Sequence, residues 1–228
     1  MPDDRYMRTL DPWVSLAMAA EATSTIRLGT AVSLPVESDP ITLAKTVASL
    51  DHLSGGRVNW GVEFGWNTDE LADHGVPANR RRTVLREYVE AMRSLWTEQQ
   101  GSYDGEFVSF GASWAWSKPA QVRVPLRIGA DAGPKTFAWI ARTADGWMTT
   151  PNSTEIPTRV KELRVAWEAA ERTGEPQVHV LSREEPDDDV LKSWEEAGVS
   201  DVMWSMPDRS VDEVKAFIAT RAKRLGLG

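Results

Sequence analysis

Between positions 81 and 96 the chain places Val84, Leu85, Tyr88, Val89, Met92, Leu95 and Trp96 at steps of three and four. That spacing lines one face of a helix, so the segment predicts an amphipathic α-helix. Similar patterns predict helices over 12–24, 40–53, 134–143, 155–173, 188–197 and 211–225. Asp11-Pro12 opens the first with proline at a favoured first position, and Gly55-Gly56 stops the second. Between the helices lie short apolar runs at 26–34, 57–64, 126–130, 146–149, 177–181 and 201–205, each read as a buried strand. Strict alternation of six strands and seven helices implies parallel strands joined by helical crossovers. A doubly wound sheet and a barrel both satisfy the pattern. No G-x-G-x-x-G follows the first strand, which favours the barrel. The expectation is one α/β domain over 1–228 with a tail at 1–10. The stretch 98–123 is polar and glycine-rich, and its Phe107, Phe110, Trp114 and Trp116 suggest an ordered lid rather than a linker.

Composition narrows the function. The chain has 228 residues and a formal charge of −8, which argues against nucleic acid as a partner. Arg80-Arg81-Arg82 is its one dense basic run and reads as a solvated helix end; the acids at 184–189 suit the positive end of the helix that follows. Without cysteine there are no disulfides or thiol nucleophiles, as a reducing cytoplasm allows. The amino terminus lacks a signal-peptide pattern, and no apolar run approaches the ~18 residues of a membrane span. A soluble, cytoplasmic protein acting on a small molecule is expected. The three histidines share no metal-ligand spacing, so no metal site is predicted, and His179 in a strand reads as a core histidine. No G-x-S-x-G nucleophile elbow is present.

The stretch GADAGPKTFAWIARTADGW, starting at Gly129, resembles a nucleotide phosphate loop but has the wrong spacing, with Pro134 between Gly133 and Lys135. It ends a strand and opens a helix, and a helix start presents unpaired N–H groups to an anion. Lys135 and the Thr136 hydroxyl are candidate extra donors. A plain tight turn is the alternative.

Four runs in order, IRLGTAV, LAKTVASLDHLSGGRVNWGVEFGWN, REYVEAMRSLW and AGPKTFAWIARTADGWM, resemble the bacterial luciferase-like family, especially its coenzyme F420-using branch. The likeness runs from about Asp11 to the end, and L-D-x-L-S-G-G-R with A-D-G-W carries most of its specificity. The resemblance implies an eight-stranded TIM-type barrel whose cofactor, F420 or alternatively FMN, lies at the carboxyl ends of the strands. It places the cofactor phosphate at the turn Gly129, Ala130, Asp131, Ala132 and Gly133, with Lys135 and Thr136 beyond. It places a strand bulge with a cis peptide at Ala31-Val32, and a second pocket wall at Glu63, Phe64 and Gly65, with Trp66 and Asn67 at the mouth. Many relatives have glycine where this chain has Glu63, the one weak catalytic candidate.

The resemblance also implies a departure. The first predicted helix matches the family's second, so the first strand, first helix and second strand have no counterpart. An incomplete TIM-barrel-like fold of about six strands leaves two exposed edges. A homodimer covering the gap is expected; a folded-back amino-terminal segment and a fragment of a longer protein are the alternatives. The implied activity is F420-dependent hydride transfer involving a small organic substrate. The alternatives are an FMN-dependent monooxygenase and a non-catalytic flavin-binding barrel remnant.

Overall fold

The computed structural model describes residues 9–151 and 155–226; most of the predicted tail at 1–10 lies outside them. Six parallel strands form one sheet: β1 (Leu28–Gly29), β2 (Val58–Val62), β5 (Leu126–Gly129), β6 (Gly146–Thr149), β7 (Gln177–Ser182) and β8 (Asp201–Trp204), hydrogen-bonded in that order. Helices α1 (Pro12–Ala22), α2 (Pro40–Leu53), α4 (Arg81–Thr97), α5 (Pro134–Thr143), α6 (Ile156–Ala169), α7 (Asp188–Ala197) and α8 (Val211–Arg224) alternate with them. This is the expected α/β, TIM-barrel-like arrangement, open between β1 and β8 among the described residues. The two edges still meet at one end, where Arg27 pairs with Asp201 at the start of β8.

The core lies between strands and helices. Trp60, Val62, Leu126, Ile128, Trp147, Val178 and Val180 point outward onto it from the sheet. The α4 stripe meets it as the periodicity predicts, and Trp60 and Trp96 pack edge-on at 5.6 Å. Helix starts follow their caps: Asp11 accepts from Val14 N–H at 2.9 Å and Asp39 from Thr42 N–H at 2.7 Å.

The two specific runs of the sequence have structural jobs. Asp51, fully buried, accepts from Gln121 N and Nε2 at 2.9 and 2.7 Å and from Val58 N at 3.3 Å. Arg57 donates to the carbonyls of Ser54 and Ala20 at 2.8 Å each, closing the end of α1 onto the α2–β2 turn. Gly55 and Gly56 make that turn with φ of 69° and 84°. Asp145 accepts from Leu126 N–H at 2.9 Å and pairs with Arg123, while Trp147 packs edge-on against Phe137 at 5.1 Å.

Three stretches differ from the pattern. Strand β1 is two residues long rather than nine, because the Thr30 hydroxyl donates to Gly61 O at 2.7 Å and takes the place of a ladder bond. The chain bulges through a cis Ala31–Val32 peptide and rejoins β2 at Ser33. A short helix α3 (Thr68–Asp73), capped by Asn67, stands where no periodicity marks one, being too short to show a period. The stretch 98–123 holds an antiparallel hairpin, β3 (Gly101–Asp104) with β4 (Ser109–Ser113). It packs on α4 through Phe107 N–H to Glu87 at 2.8 Å and Tyr103 Oη to Glu90 at 2.6 Å. Its strands are missed because they face solvent on one side and carry glycine. It flanks α4, and none of its residues lines the cleft described next.

Candidate functional site

A cleft of about 380 Å³ opens at the carboxyl ends of β1, β2, β5 and β6. Ala31 and Val32 from the bulge form one wall, and Glu63, Phe64 and Gly65 another. Gly129, Ala130 and Asp131 supply the third, with Met148 and Thr149 behind them. Eight of the residues singled out from sequence therefore meet in one place.

The backbone holds them tightly. Ser33 N–H donates to Gly61 O at 2.9 Å and Glu63 N–H to Ser33 O at 3.0 Å, which locks the bulge to the end of β2. Gly129 is needed at the base: a β-carbon there would stand 3.0 Å from Val32 Cγ1 and 3.5 Å from Val62 O. Gly65 has φ of 81°, and Leu71 crowds the site its side chain would fill. Ala130 O accepts from Trp147 Nε1 at 2.8 Å, so the buried tryptophan of A-D-G-W fixes the turn after β5.

Four of the predicted residues fall elsewhere. Ala132 and Gly133 continue the turn beyond the cleft wall, and Lys135 projects to solvent. Thr136 is buried, because helical period turns it with Phe137 and Ile140 toward the core. Gly133 stands at the N-cap of α5 with no side-chain capping bond, so the first N–H groups of the helix lack a side-chain acceptor.

Arg81 and Arg82 were read as a solvated helix end, yet both line the cleft. Their guanidinium carbons lie 5.3 and 4.8 Å from the Phe64 ring centroid, a cation–π arrangement that aims both charges at the mouth. Among the described residues neither forms an ion pair, whereas Arg80 is paired with Glu106. Their position at the positive end of α4 is electrostatically unfavourable, with no acid in the first turn to offset it. The signal in the sequence was that mismatch: three arginines at a helix start in an acidic chain.

Glu63 carries a raised pKa, first from burial and then from Asp131, with Arg81 opposing. His179 lies outside the cleft, in a second cavity of about 340 Å³ lined also by Arg127, Asp201 and, in common with the cleft, Met148. Burial and then Arg127 lower its pKa to about 4, so it is a neutral core histidine at pH 7. Its Nε2 is 2.8 Å from Asp201 Oδ2 but out of hydrogen-bond alignment. Among the described residues no group of three or more His, Cys, Asp or Glu side chains could hold a metal. Among the described residues no helix is long and apolar enough to cross a membrane.

The profile of the luciferase-like monooxygenase family matches residues 2–222. A Mycobacterium tuberculosis protein named as uncharacterized is 60% identical over 225 residues, covering 99% of this chain and 79% of the relative. The F420-dependent glucose-6-phosphate dehydrogenase of Kineococcus radiotolerans is 32% identical over 169 residues, covering 71% of this chain and 48% of that enzyme. The chain thus spans about half the length of that relative. Among solved structures, the coenzyme F420-dependent tetrahydromethanopterin reductase of Methanopyrus kandleri superposes with a TM-score of 0.73. Its identity is 19%, with 91% of this chain and 85% of that one covered, a likeness of fold. This chain belongs to the luciferase-like monooxygenase family.

Proposed function

We propose that the cleft binds coenzyme F420 and that the protein is an oxidoreductase moving a hydride between that cofactor and a small organic substrate. The observation that carries this reading is the convergence of the Ala31–Val32 bulge, the glycine base at Gly129 and two unpaired arginines on one cleft. The residues fit such a group. Gly129 leaves a space that any side chain would fill, and Arg81 Nε is buried without a partner among the described residues.

When bound, the deazaflavin supplies the hydride chemistry; the protein supplies binding, orientation and electrostatics. Val32 and the bulge support one face of the ring. Arg81 and Arg82, with the uncapped start of α5, take the anionic part of the cofactor. Trp66, exposed at the mouth beside Gly65, provides an aromatic surface for the substrate side.

A homodimer belongs to the same reading. The edges β1 and β8 are unpaired among the described residues, and α1 exposes Val14 and Met18, with Leu10 before it, on one stripe. Light scattering at micromolar concentration should give twice the monomer mass, and a monomer would remove the dimer from the reading.

The experiment is a titration with F420 and with FMN, followed by tryptophan fluorescence. Micromolar or tighter binding of F420 and weaker binding of FMN is the expected result. Preference for FMN would assign the site to a flavin monooxygenase. Binding of neither would leave a barrel without a working cofactor site.

A further inference from the structure

Glu63 stands on the inward side of the sheet at the end of β2, between the bulge and the turn after β5. Its backbone is fixed by the bond to Ser33 O. Its Cβ lies 3.8 Å from where a β-carbon on Gly129 would be, so the two residues adjoin in the cleft lining and the glycine leaves the space between them open. Among the described residues that carboxyl takes no hydrogen bond and forms no ion pair within the cleft. A half-buried carboxyl without a partner is costly unless a ligand completes it.

We infer that Glu63 enters the ligand complex as a neutral carboxylic acid and donates a hydrogen bond to an acceptor atom, a carbonyl oxygen or ring nitrogen, of the bound flavin-class ring. The inference rests on the cofactor reading above. An ionised carboxylate has only acceptors and would face the lone pairs of such atoms; the neutral acid has the donor they need. The charged groups around it are Asp131 from the turn after β5 and Arg81 and Arg82 from the first turn of α4. The bulge and β6 contribute Ala31, Val32, Met148 and Thr149, all uncharged. Burial and Asp131 favour the neutral form against Arg81, and an anionic cofactor adds a further negative charge in the same direction.

The test measures cofactor affinity by tryptophan quenching from pH 5.5 to 8.5 for the intact chain, Glu63→Gln and Glu63→Leu, with thermal melts at each pH to establish folding. If only the neutral acid binds, wild-type affinity falls by about tenfold per pH unit above the Glu63 titration point. Glu63→Gln keeps a neutral donor and should hold the low-pH affinity across the whole range. Glu63→Leu should bind about tenfold more weakly than wild type at low pH, as expected for one lost hydrogen bond at the strong end of the neutral range. A flat wild-type profile, or a Glu63→Gln variant weaker than wild type at every pH, overturns the inference while leaving the cofactor reading intact. A folded wild type that binds neither F420 nor FMN at any pH overturns that reading and this inference with it.

Discussion

Val32 Cγ1 lies 3.0 Å from the point a β-carbon on Gly129 would occupy, which makes the absence of a side chain at Gly129 a condition for the cleft. Alanine there requires Val32 to give by a few tenths of an ångström. Valine would displace the bulge that walls the site. Gly129→Val should therefore abolish detectable cofactor binding while Gly129→Ala weakens it by about tenfold, the scale of one misplaced contact. Equilibrium titration against both variants checks the order, and unchanged binding by Gly129→Val would remove this cleft as the cofactor site.

Gln121 clamps Asp51 from both its backbone N–H and its side-chain amide, at 2.9 and 2.7 Å. Asp51 is 0% exposed, so removing it strands those donors together with Val58 N–H. Asp51→Ala should cost about 2–4 kcal/mol, a buried hydrogen-bond network lost at once. Asp51→Asn, which keeps the shape but can satisfy fewer donors, should cost less. Urea melts give both values; a loss under ~1 kcal/mol for the alanine would contradict the clamp.

His179 gives the fold a pH dependence whose sign is fixed. Its pKa is about 4 in the folded protein against an ordinary 6.5. Between those values the unfolded chain carries a proton there and the folded one does not, so stability falls as pH drops from 6.5 toward 4. The loss is at most about 3.5 kcal/mol, since one pKa unit corresponds to about 1.4 kcal/mol. His179→Asn should flatten the melting temperature over that window relative to wild type. Parallel curves would show that His179 titrates normally.

Glu63 has the opposite consequence. Its folded pKa is raised, so the stabilisation its proton provides is complete below the ordinary glutamate range and lost as pH rises through the folded value. Glu63→Gln should therefore melt higher than wild type at pH 7–8, and the two should converge below pH 4.5. Differential scanning fluorimetry across that range reads the difference directly.

What was legible in the sequence divides by physical origin. Helices such as α4 and α5 announce themselves because a buried stripe imposes a period, and the predicted bounds of α5 and α7 coincide with the structure. The buried parallel strands were visible as apolar runs, Gly146–Thr149 included. The β1 bulge was not, because a hydroxyl replacing one backbone bond leaves no mark in apolar spacing. The hairpin was hidden for the related reason that only one of its faces is covered. At the site, the glycine-spaced turn and the family resemblance named Gly129 and Gly65, and the structure brings both to the cleft, where close approach restricts residue type. Thr136 is buried outside the cleft lining, because sequence neighbours of a turn rotate away once the helix begins. Arg81 and Arg82 do stand at a helix start, with Arg82 exposed, but that both also line the cleft was not legible, because a charge run looks the same whether its space is filled by water or shaped into a cleft.

Arg82 is the cleaner of the two arginines to test. It is exposed and stacks on Phe64 at 4.8 Å, whereas Arg81 also donates to Ala78 O at 2.8 Å and helps hold the start of α4. Arg82→Gln should cost no more than about 1 kcal/mol of stability, the value of an exposed cation–π contact. It should weaken an anionic cofactor by roughly tenfold at low salt, the value of one charge-assisted contact near a surface. Because that contribution is largely coulombic, the gap between variant and wild type should shrink as ionic strength rises and the Debye length contracts below ~10 Å. Titrations at about 20 and 500 mM salt separate the cases. A variant that matches wild type at low salt would return Arg82 to the role of a solvated helix end.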